Sequence, residues 1–161
     1  MLLTIEKVMI LRDIGVFANV PERYLADVAA LAEEEEVPAG QLIIREGDVG
    51  SAMYVIASGR VRVWKAGRVI AEIGEHDVFG ELSILDPEPR SASVEALVDT
   101  HLFKLTHAQV DDLMASNMEI VRGFLRMLCR RLRGEAEVDG VDGRLLPRVH
   151  AEGDDRAPAD R

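Results

Sequence analysis

The chain has 161 residues, 48% of them hydrophobic and 30% charged, which is ordinary for one soluble globular domain with a tail. Its 19 basic and 29 acidic residues give a net charge of −10, which argues against a general nucleic-acid binder, because such proteins gain affinity by neutralising phosphates. A single Cys excludes an internal disulfide and a cysteine-rich zinc site. We expect no membrane segment and a cytoplasmic location, since no apolar run approaches about 20 residues and the N-terminus lacks a signal-peptide pattern.

The N-terminal part, residues 3–33, is predicted to be helical. Thr4 is a candidate cap for a short first helix, and Pro21 suits the first position of a second helix, where its missing N–H costs nothing. Apolar residues then recur at helical spacing at Leu25, Val28, Ala29 and Ala32. We interpret the charge run Glu33–Glu36 that follows as the solvated end of this helix.

The middle of the chain, from Val37 to Leu105, has short β-rich pieces separated by glycines. Several short strands with turn signals at this spacing predict a β-sandwich or barrel. Ser58-Gly59 and Ala66-Gly67 are predicted to be hairpin turns. The predicted strands are Leu42–Ile44, Met53–Ile56, Val61–Trp64, Val69–Ile73, Ser93–Ala96 and His101–Leu105.

Two further helices are predicted after the strands. Two capping-box patterns, Thr106 with Gln109 and Ser116 with Glu119, indicate where they begin. The second helix is the longest in the chain and is strongly amphipathic, so its apolar stripe is a candidate surface for a homodimer. Cys129, at the border of its two stripes, is expected to be partly buried. The apolar stripe is Ile120, Val121, Phe124, Leu125, Leu128 and Leu132, and the basic one is Arg122, Arg126, Arg130 and Arg133.

The last segment, residues 134–161, is rich in Gly, Asp, Glu, Pro and Arg and has few large apolar residues. Such a composition cannot bury enough apolar surface to offset the entropy of ordering. We therefore predict an ordered domain over residues 1–133 and a disordered acidic tail over 134–161. Leu145-Leu146 is the exception, and its local docking is a hypothesis.

The strongest indication of chemistry lies in residues 79–93. Gly80 permits a close backbone approach or an unusual dihedral, and Leu82–Leu85 is long enough for one helical turn with free N–H groups for an anion. Arg90 offers a bidentate guanidinium to a phosphate, and Glu81 is an acceptor for sugar hydroxyls. Together they indicate a nucleoside monophosphate rather than an inorganic anion. The alternative interpretation is a plain loop with a capped helix and a surface Arg.

This segment resembles the phosphate-binding cassette of cyclic nucleotide-binding domains, which occur in protein kinase A regulatory subunits, cyclic nucleotide-gated channels and the catabolite activator protein. The resemblance covers about residues 5–133. It implies an α+β, mainly β fold: an eight-stranded β-roll, or jelly roll, with an N-terminal helical bundle and two C-terminal helices. It rests on Phe79-Gly80-Glu81-Leu82, Pro89-Arg90-Ser91-Ala92-Ser93, Gly40, Arg45-Glu46-Gly47-Asp48, Met53-Tyr54-Val55-Ile56 and Gly59.

The resemblance also implies roles for single residues. Glu81 would accept a hydrogen bond from the ribose 2′-OH, and Arg90 would pair with the cyclic phosphate. Ser91 favours cAMP over cGMP, because cGMP-selective members often carry Thr at that place. Backbone N–H groups, or for Ser91 the hydroxyl, would come from Gly80, Leu82, Ser91 and Ala92. Contacts to the base are expected from Val61, Val63, Ile73, Met127, Cys129, Arg130 and Arg133.

The function implied is that of a non-catalytic regulatory or sensor domain that binds cAMP, or cGMP, as a ligand and needs no cofactor. Movement of the C-terminal helix, residues 116–133, would carry the output to an effector domain or protein. Direct nucleic-acid binding is not expected, since the polar tail is too short and irregular for a helix-turn-helix domain.

Two alternatives remain open at the level of sequence. The same fold could act as a protein-interaction scaffold that has lost its ligand. A cupin-like metalloenzyme is the other alternative, but it needs a His-x-His pair that the sequence lacks, so we expect neither a metal site nor catalytic residues.

Overall fold

Eight strands and five helices make up residues 1–133, the part of the chain that the computed structural model describes. The predicted tail and its Leu145-Leu146 pair lie outside the described residues, so those predictions stay predictions. The helices are α1 (Thr4–Arg12), α2 (Glu22–Leu31), α3 (Glu81–Leu85), α4 (His107–Ser116) and α5 (Met118–Leu132), with a 3₁₀ turn at Gly15–Phe17.

The strands form two four-stranded antiparallel sheets, ordered β1-β8-β3-β6 and β2-β7-β4-β5. This confirms the α+β, mainly β architecture with an eight-stranded roll, helices before it and two helices after it. The strands are β1 (Glu33–Val37), β2 (Leu42–Ile44), β3 (Ala52–Ser58), β4 (Val61–Lys65), β5 (Arg68–Ile73), β6 (Val78–Phe79), β7 (Ser93–Ala96) and β8 (Thr100–Thr106).

Two apolar clusters share strand β3. Its side chains alternate between the faces of the sheet, as in any strand. Met53 and Val55 pack with the helices in one cluster, the bundle core. Tyr54 and Ile56 pack between the sheets in the other, the roll core. Burial on both faces explains why this strand is a continuous apolar run rather than an alternating one.

The charge run Glu33–Glu36 is a strand and not a helix end, so that interpretation is wrong. β1 pairs along its whole length with β8. Cations stabilise it there, because Glu34 lies 3.1 Å from Nζ of Lys7 and Glu35 lies 3.2 Å from Nζ of Lys104. Opposite charges facing across neighbouring elements allow a sequence of weak β propensity to form an edge strand.

Four of the predicted turns and caps are also different in the structure. Pro21 is the cap of α2 and not its first residue, which is Glu22. The first helix is capped by Leu3, so Thr4 is its first residue. Ser58-Gly59 is not a hairpin turn, because β3 and β4 belong to different sheets. The cap of α5 is the side chain of Asn117, whose Oδ1 accepts from the Glu119 N–H at 3.0 Å, and not Ser116.

Two local predictions are confirmed. Ala66 and Gly67 have φ values of 49° and 75° and join the paired strands β4 and β5 as a hairpin turn. Thr106 and Gln109 form the reciprocal capping box at the start of α4, with Gln109 Oε1 accepting from the Thr106 N–H at 2.8 Å.

Helix α5 is held against the 3₁₀ turn by a close backbone contact. A Cβ on Gly123 would lie 2.0 Å from the carbonyl oxygen of Val16. Only part of the predicted apolar stripe is covered: Leu125 is 54% and Leu132 88% exposed. The buried face consists of Ile120, Phe124 and Met127.

Candidate functional site

The candidate site begins where β6 ends, at Gly80. This residue has φ 81° and ψ 8°, a left-handed conformation that glycine adopts without strain. A side chain would not fit either, because a Cβ at this position would lie 2.8 Å from the Ala52 carbonyl oxygen and 2.8 Å from Nη1 of Arg90. Helix α3 follows at once, starting with Glu81, and ends before Pro87.

The side chain of Arg90 is almost fully buried, with 9% of the residue exposed. Its Nη2 donates to the carbonyl oxygen of Ala52 at 2.6 Å. Its backbone is fixed as well, since its N–H donates to the Asp48 carbonyl at 2.7 Å and its carbonyl accepts from the Gly47 N–H at 2.8 Å. We call residues 79–93 the cassette loop. These bonds join Arg90, near the end of the cassette loop, to the turn before β3.

The structure brings Arg90 and Glu81 to the same place. Glu81 is fully buried, at 0% exposure, although it carries a carboxylate. Since the Arg90 guanidinium lies against Gly80, the residue before Glu81, an acidic and a basic group are both buried at the start of α3. Removing such groups from water is expensive, so their burial indicates a specific electrostatic role.

The other predicted residues of the cassette loop and the strands fall in two environments. Val61, Val63 and Ile73 lie together with Ala92 in the roll core. Ser91, in contrast, is exposed, and Leu82 is half-buried. The structure therefore brings the predicted strand residues and Ala92 together, and it leaves Ser91 at the surface.

The predicted base contacts on α5 do not lie beside the roll core. Met127 is buried in the bundle core, and Arg130 and Arg133 are exposed. Cys129 is exposed too, so the expectation that this thiol is partly buried is wrong. In the structure described here, these four residues are not brought next to Val61, Val63 and Ile73.

A hollow of about 430 Å³ separates the cassette loop from α5. We call it the cassette hollow. On the helix side it is bounded by Leu128, which packs at the edge of the bundle core. Its lining comprises Leu82, Ser83, Leu85, Asp86, Glu88, Pro89, Ser91 and Leu128.

Tyr54 and Phe79 stack in the roll core with ring centroids 5.0 Å apart. Burial raises the pKa of the Tyr54 phenol. The positive charges of Lys104 and Arg90 oppose this rise, and the negative charge of Glu35 adds to it. The phenol therefore stays neutral at physiological pH and acts here as a packing group.

Two parts of the site were missed by sequence reasoning. Gly50 has no room for a side chain, because a Cβ there would lie 2.3 Å from Nε of Arg90. The sequence shows it only as one glycine among several. The carbonyl oxygen that binds the guanidinium belongs to Ala52, and a backbone acceptor leaves no mark in a residue pattern.

Residues 1–133 lack two features that would indicate other classes of site. Within residues 1–133, no three His, Cys, Asp or Glu side chains are grouped so as to hold a metal ion. Across the same residues, no helix has the length and apolar character required to cross a membrane.

Comparison with known proteins identifies relatives of the chain. A "CRP-like cAMP-activated global transcriptional regulator" from Mycobacterium tuberculosis is 32% identical over 129 residues, which is 77% of this chain and 58% of that protein. The chain thus spans less than two thirds of the length of this relative.

Two solved structures are similar as well. The N-terminal domain of a transcriptional regulator from Streptomyces coelicolor matches 78% of this chain and 91% of its own at 31% identity, with a TM-score of 0.70. The regulatory domain of Toxoplasma gondii PKA, solved with cAMP, matches 68% of this chain and 44% of its own at 29% identity, with a TM-score of 0.64.

The sequence model of the cyclic nucleotide-binding domain matches residues 34–117, which include all eight strands except the first residue of β1 and the whole cassette loop. Together with the shared roll, this match establishes the family. The chain belongs to the cyclic nucleotide-binding domain family.

Proposed function

We propose that residues 1–133 bind a cyclic nucleotide, cAMP in preference to cGMP, beside the cassette loop. The buried guanidinium of Arg90 carries the proposal. It lies between Gly50 and Gly80 and next to Glu81, and its Nη2 donates to the Ala52 carbonyl oxygen at 2.6 Å, so the guanidinium is fixed in position at the start of α3. A phosphate is the natural acceptor for such a planar donor group.

The remaining contacts of the proposed complex follow from the same placement. Glu81 would accept from the ribose 2′-OH, and Val61, Val63 and Ile73 provide an apolar surface for the base. Gly80, Leu82, Ser91 and Ala92 would supply N–H groups, or in the case of Ser91 its hydroxyl. The preference for cAMP is supported by Ser91 and by the similarity to the tuberculosis regulator, which is described as cAMP-activated, and to the Toxoplasma domain, which was solved with cAMP.

The proposed action is regulatory and non-catalytic, and it ends in α5. A ligand shifts a conformational equilibrium only by its difference in affinity for the two states. Contact of Met127, Cys129, Arg130 or Arg133 with the base requires α5 to move, since these side chains now lie away from the roll core. That movement would be the output, read by an effector domain or protein.

A homodimer through α5 belongs to the same proposal. Leu125 and Leu132 are exposed on this helix, and apolar side chains repeating along a helix favour a second copy. Analytical ultracentrifugation should then show a dimer that Leu125→Asp with Leu132→Asp converts to a monomer. A parent chain that is monomeric with and without cAMP would exclude the dimer but leave the ligand site untouched.

The decisive experiment is calorimetric titration of nucleotide-free protein with cAMP, cGMP and 5′-AMP. Binding of cAMP should be tightest, and 5′-AMP serves as the uncyclised comparison. Arg90→Ala should weaken binding by about 2–5 kcal/mol, because it leaves a desolvated phosphate unpaired. This is roughly a 30- to 4,000-fold loss of affinity. Arg68→Ala, an exposed arginine on β5, is the matched control and should bind as the parent chain does.

Two outcomes would contradict the proposal. If Arg90→Ala bound cAMP normally, the phosphate would lie elsewhere. If the parent chain gave no heat and no thermal shift at millimolar cAMP or cGMP, the domain would be an interaction scaffold without a ligand.

A further inference from the structure

The cassette hollow has an apolar floor and an acidic edge. Leu85 and Leu128 line it, are half-buried and pack against the bundle core, one from the cassette loop and the other from α5. Asp86 and Glu88 are exposed beside them. A segment that fills this hollow should therefore present two apolar side chains between positive charges.

One segment of the chain outside the described residues has this pattern. Residues 134–161 contain a single pair of adjacent large apolar residues, Leu145-Leu146, and arginines stand close on both sides of it, at positions 144 and 148. The surrounding residues are mostly acidic or small. The pattern Arg-Leu-Leu-Pro-Arg thus complements both the floor and the edge of the cassette hollow.

The point at which this segment leaves the domain also favours docking within one molecule. Leu132, the last residue of α5, follows Leu128 by four residues, or about 6 Å along the helix axis. The roughly 11 residues between α5 and Arg144 can span up to about 35 Å when extended. A tether of this kind gives an effective concentration in the millimolar range, so even a weak intrinsic affinity keeps the segment bound.

We propose that residues 144–148 dock in the cassette hollow of the same chain. Leu145 and Leu146 would pack on Leu85 and Leu128, and the two arginines would face the acidic edge. Because Leu82 and Ser91 line the same hollow, the docked segment would bear directly on the cassette loop. This contact does not depend on the proposed nucleotide site.

The only cysteine of the chain gives a direct test. Cys129 is exposed and directly follows Leu128, which lines the hollow, so a nitroxide label on it lies one residue away from the hollow. In isotope-labelled full-length protein, without nucleotide, docking should broaden the amide signals of residues 144–146 and 148 more than those of residues 138–141. A broadening that declines steadily from residue 134 to residue 161 would overturn the proposal.

Variants identify the contacts that cause the effect. Leu145→Asp with Leu146→Asp should abolish the stronger broadening at residues 144–148. Unchanged signals from residues 1–133 will show that the fold is kept. Asp86→Lys with Glu88→Lys should weaken it as well. The charge-matched control is Asp27→Lys with Glu75→Lys, at two exposed acids that do not line the hollow, and should leave it unchanged. If the control lost the broadening equally, the change in net charge alone would explain the loss, and this result would contradict the proposal.

A mixed sample, made with the Leu125→Asp with Leu132→Asp variant so that no dimer through α5 brings two chains together, excludes the other occupant, a second copy. Spin-labelled protein of natural isotopic abundance is mixed with isotope-labelled protein that carries a diamagnetic label on Cys129. Docking within one chain predicts no broadening at residues 144–148 in this sample. Broadening there would mean that the segment of one molecule occupies the hollow of another, and the proposal as stated would be wrong.

Discussion

The side chain of Arg90 occupies the space that a side chain on Gly50 would need. A Cβ on Gly50 would lie 2.3 Å from Nε, 2.5 Å from Cζ and 2.8 Å from Cδ of the arginine. Gly50 has an ordinary backbone conformation, so only this contact requires a glycine there. The position of the guanidinium therefore depends on a residue 40 positions earlier in the chain.

Gly50→Ala should consequently weaken cyclic-nucleotide binding while the arginine itself is still present. The added methyl group must push the guanidinium away from the Ala52 carbonyl, and overpacking of this kind costs roughly 1–3 kcal/mol. Calorimetric titration with cAMP measures the effect. Gly74→Ala is the control, since a Cβ at Gly74 meets its nearest atom at an ordinary 3.6 Å, and it should bind as the parent chain does. Normal binding by Gly50→Ala would show that Arg90 need not occupy its present place.

Glu81→Gln tests the sugar contact separately from the phosphate contact. The amide keeps the volume of the fully buried side chain but accepts a hydrogen bond less strongly, so cAMP affinity should fall by about 1–2 kcal/mol. With 2′-deoxy-cAMP, which lacks the hydroxyl, parent chain and variant should differ much less. Titrations with both ligands decide the matter, and an equal loss for both would exclude a ribose contact by Glu81.

Gly123→Ala should destabilise the protein even though alanine is the better helix former. In an exposed helix interior this exchange would stabilise by about 1 kcal/mol. Here the methyl group would lie 2.0 Å from the Val16 carbonyl oxygen, so we expect a net loss of roughly 1–3 kcal/mol in the free energy of unfolding. Urea unfolding measures it. A gain in stability would mean that α5 does not pack on the 3₁₀ turn.

Glu34 should make stability depend on pH in the acid range. Burial by itself raises the pKa of Glu34, but hydrogen bonds from Lys7 and the Leu2 N–H, the Lys7 charge and the bond to His101 outweigh it, and the pKa ends below its usual value. The folded state then binds fewer protons than the unfolded state. The stabilisation is therefore complete above the unfolded pKa of about 4.3 and is lost as the pH falls through the lower folded pKa.

Glu34→Gln should flatten this part of the profile. Urea unfolding between about pH 7 and pH 3 measures the slope, which the variant should reduce below about pH 5. At pH 7 the variant should also be less stable, since Glu34 lies 3.1 Å from Lys7 and 2.9 Å from His101. Glu36→Gln, exposed on the same strand, should cost little at pH 7. A parallel acid profile in parent and Glu34→Gln would refute the role given to this carboxylate.

The fold was largely predictable because its strands and helices have strong local patterns. Six strands were predicted within one or two residues of their bounds. β1 was missed because four successive glutamates have weak β propensity, and the strand is stabilised by ion pairs with Lys7 and Lys104. β6 was missed because Val78–Phe79 is too short to show a period.

The site was only partly predictable, because several of its contacts are made by the backbone. Glu81 and Arg90 were identified from their residue types, and the structure buries both at the start of α3. The part played by Gly50 and by the Ala52 carbonyl follows from how the turn before β3 meets the cassette loop, which no local pattern contains. The residues on α5 remain predictions, since their approach to the roll core requires a second conformation.

Helix α5 is anchored at one end only. Ile120, Phe124 and Met127 are buried, Gly123 touches backbone, and Leu132 stands free of the domain. Leu132 lies nine positions after Gly123, or about 14 Å along the helix axis from the point where α5 contacts the 3₁₀ turn. A tilt of roughly 10° about that point carries the free end through more than 2 Å, while atoms at the pivot hardly shift. A small rotation of α5 at Gly123 thus produces a much larger displacement of Leu132.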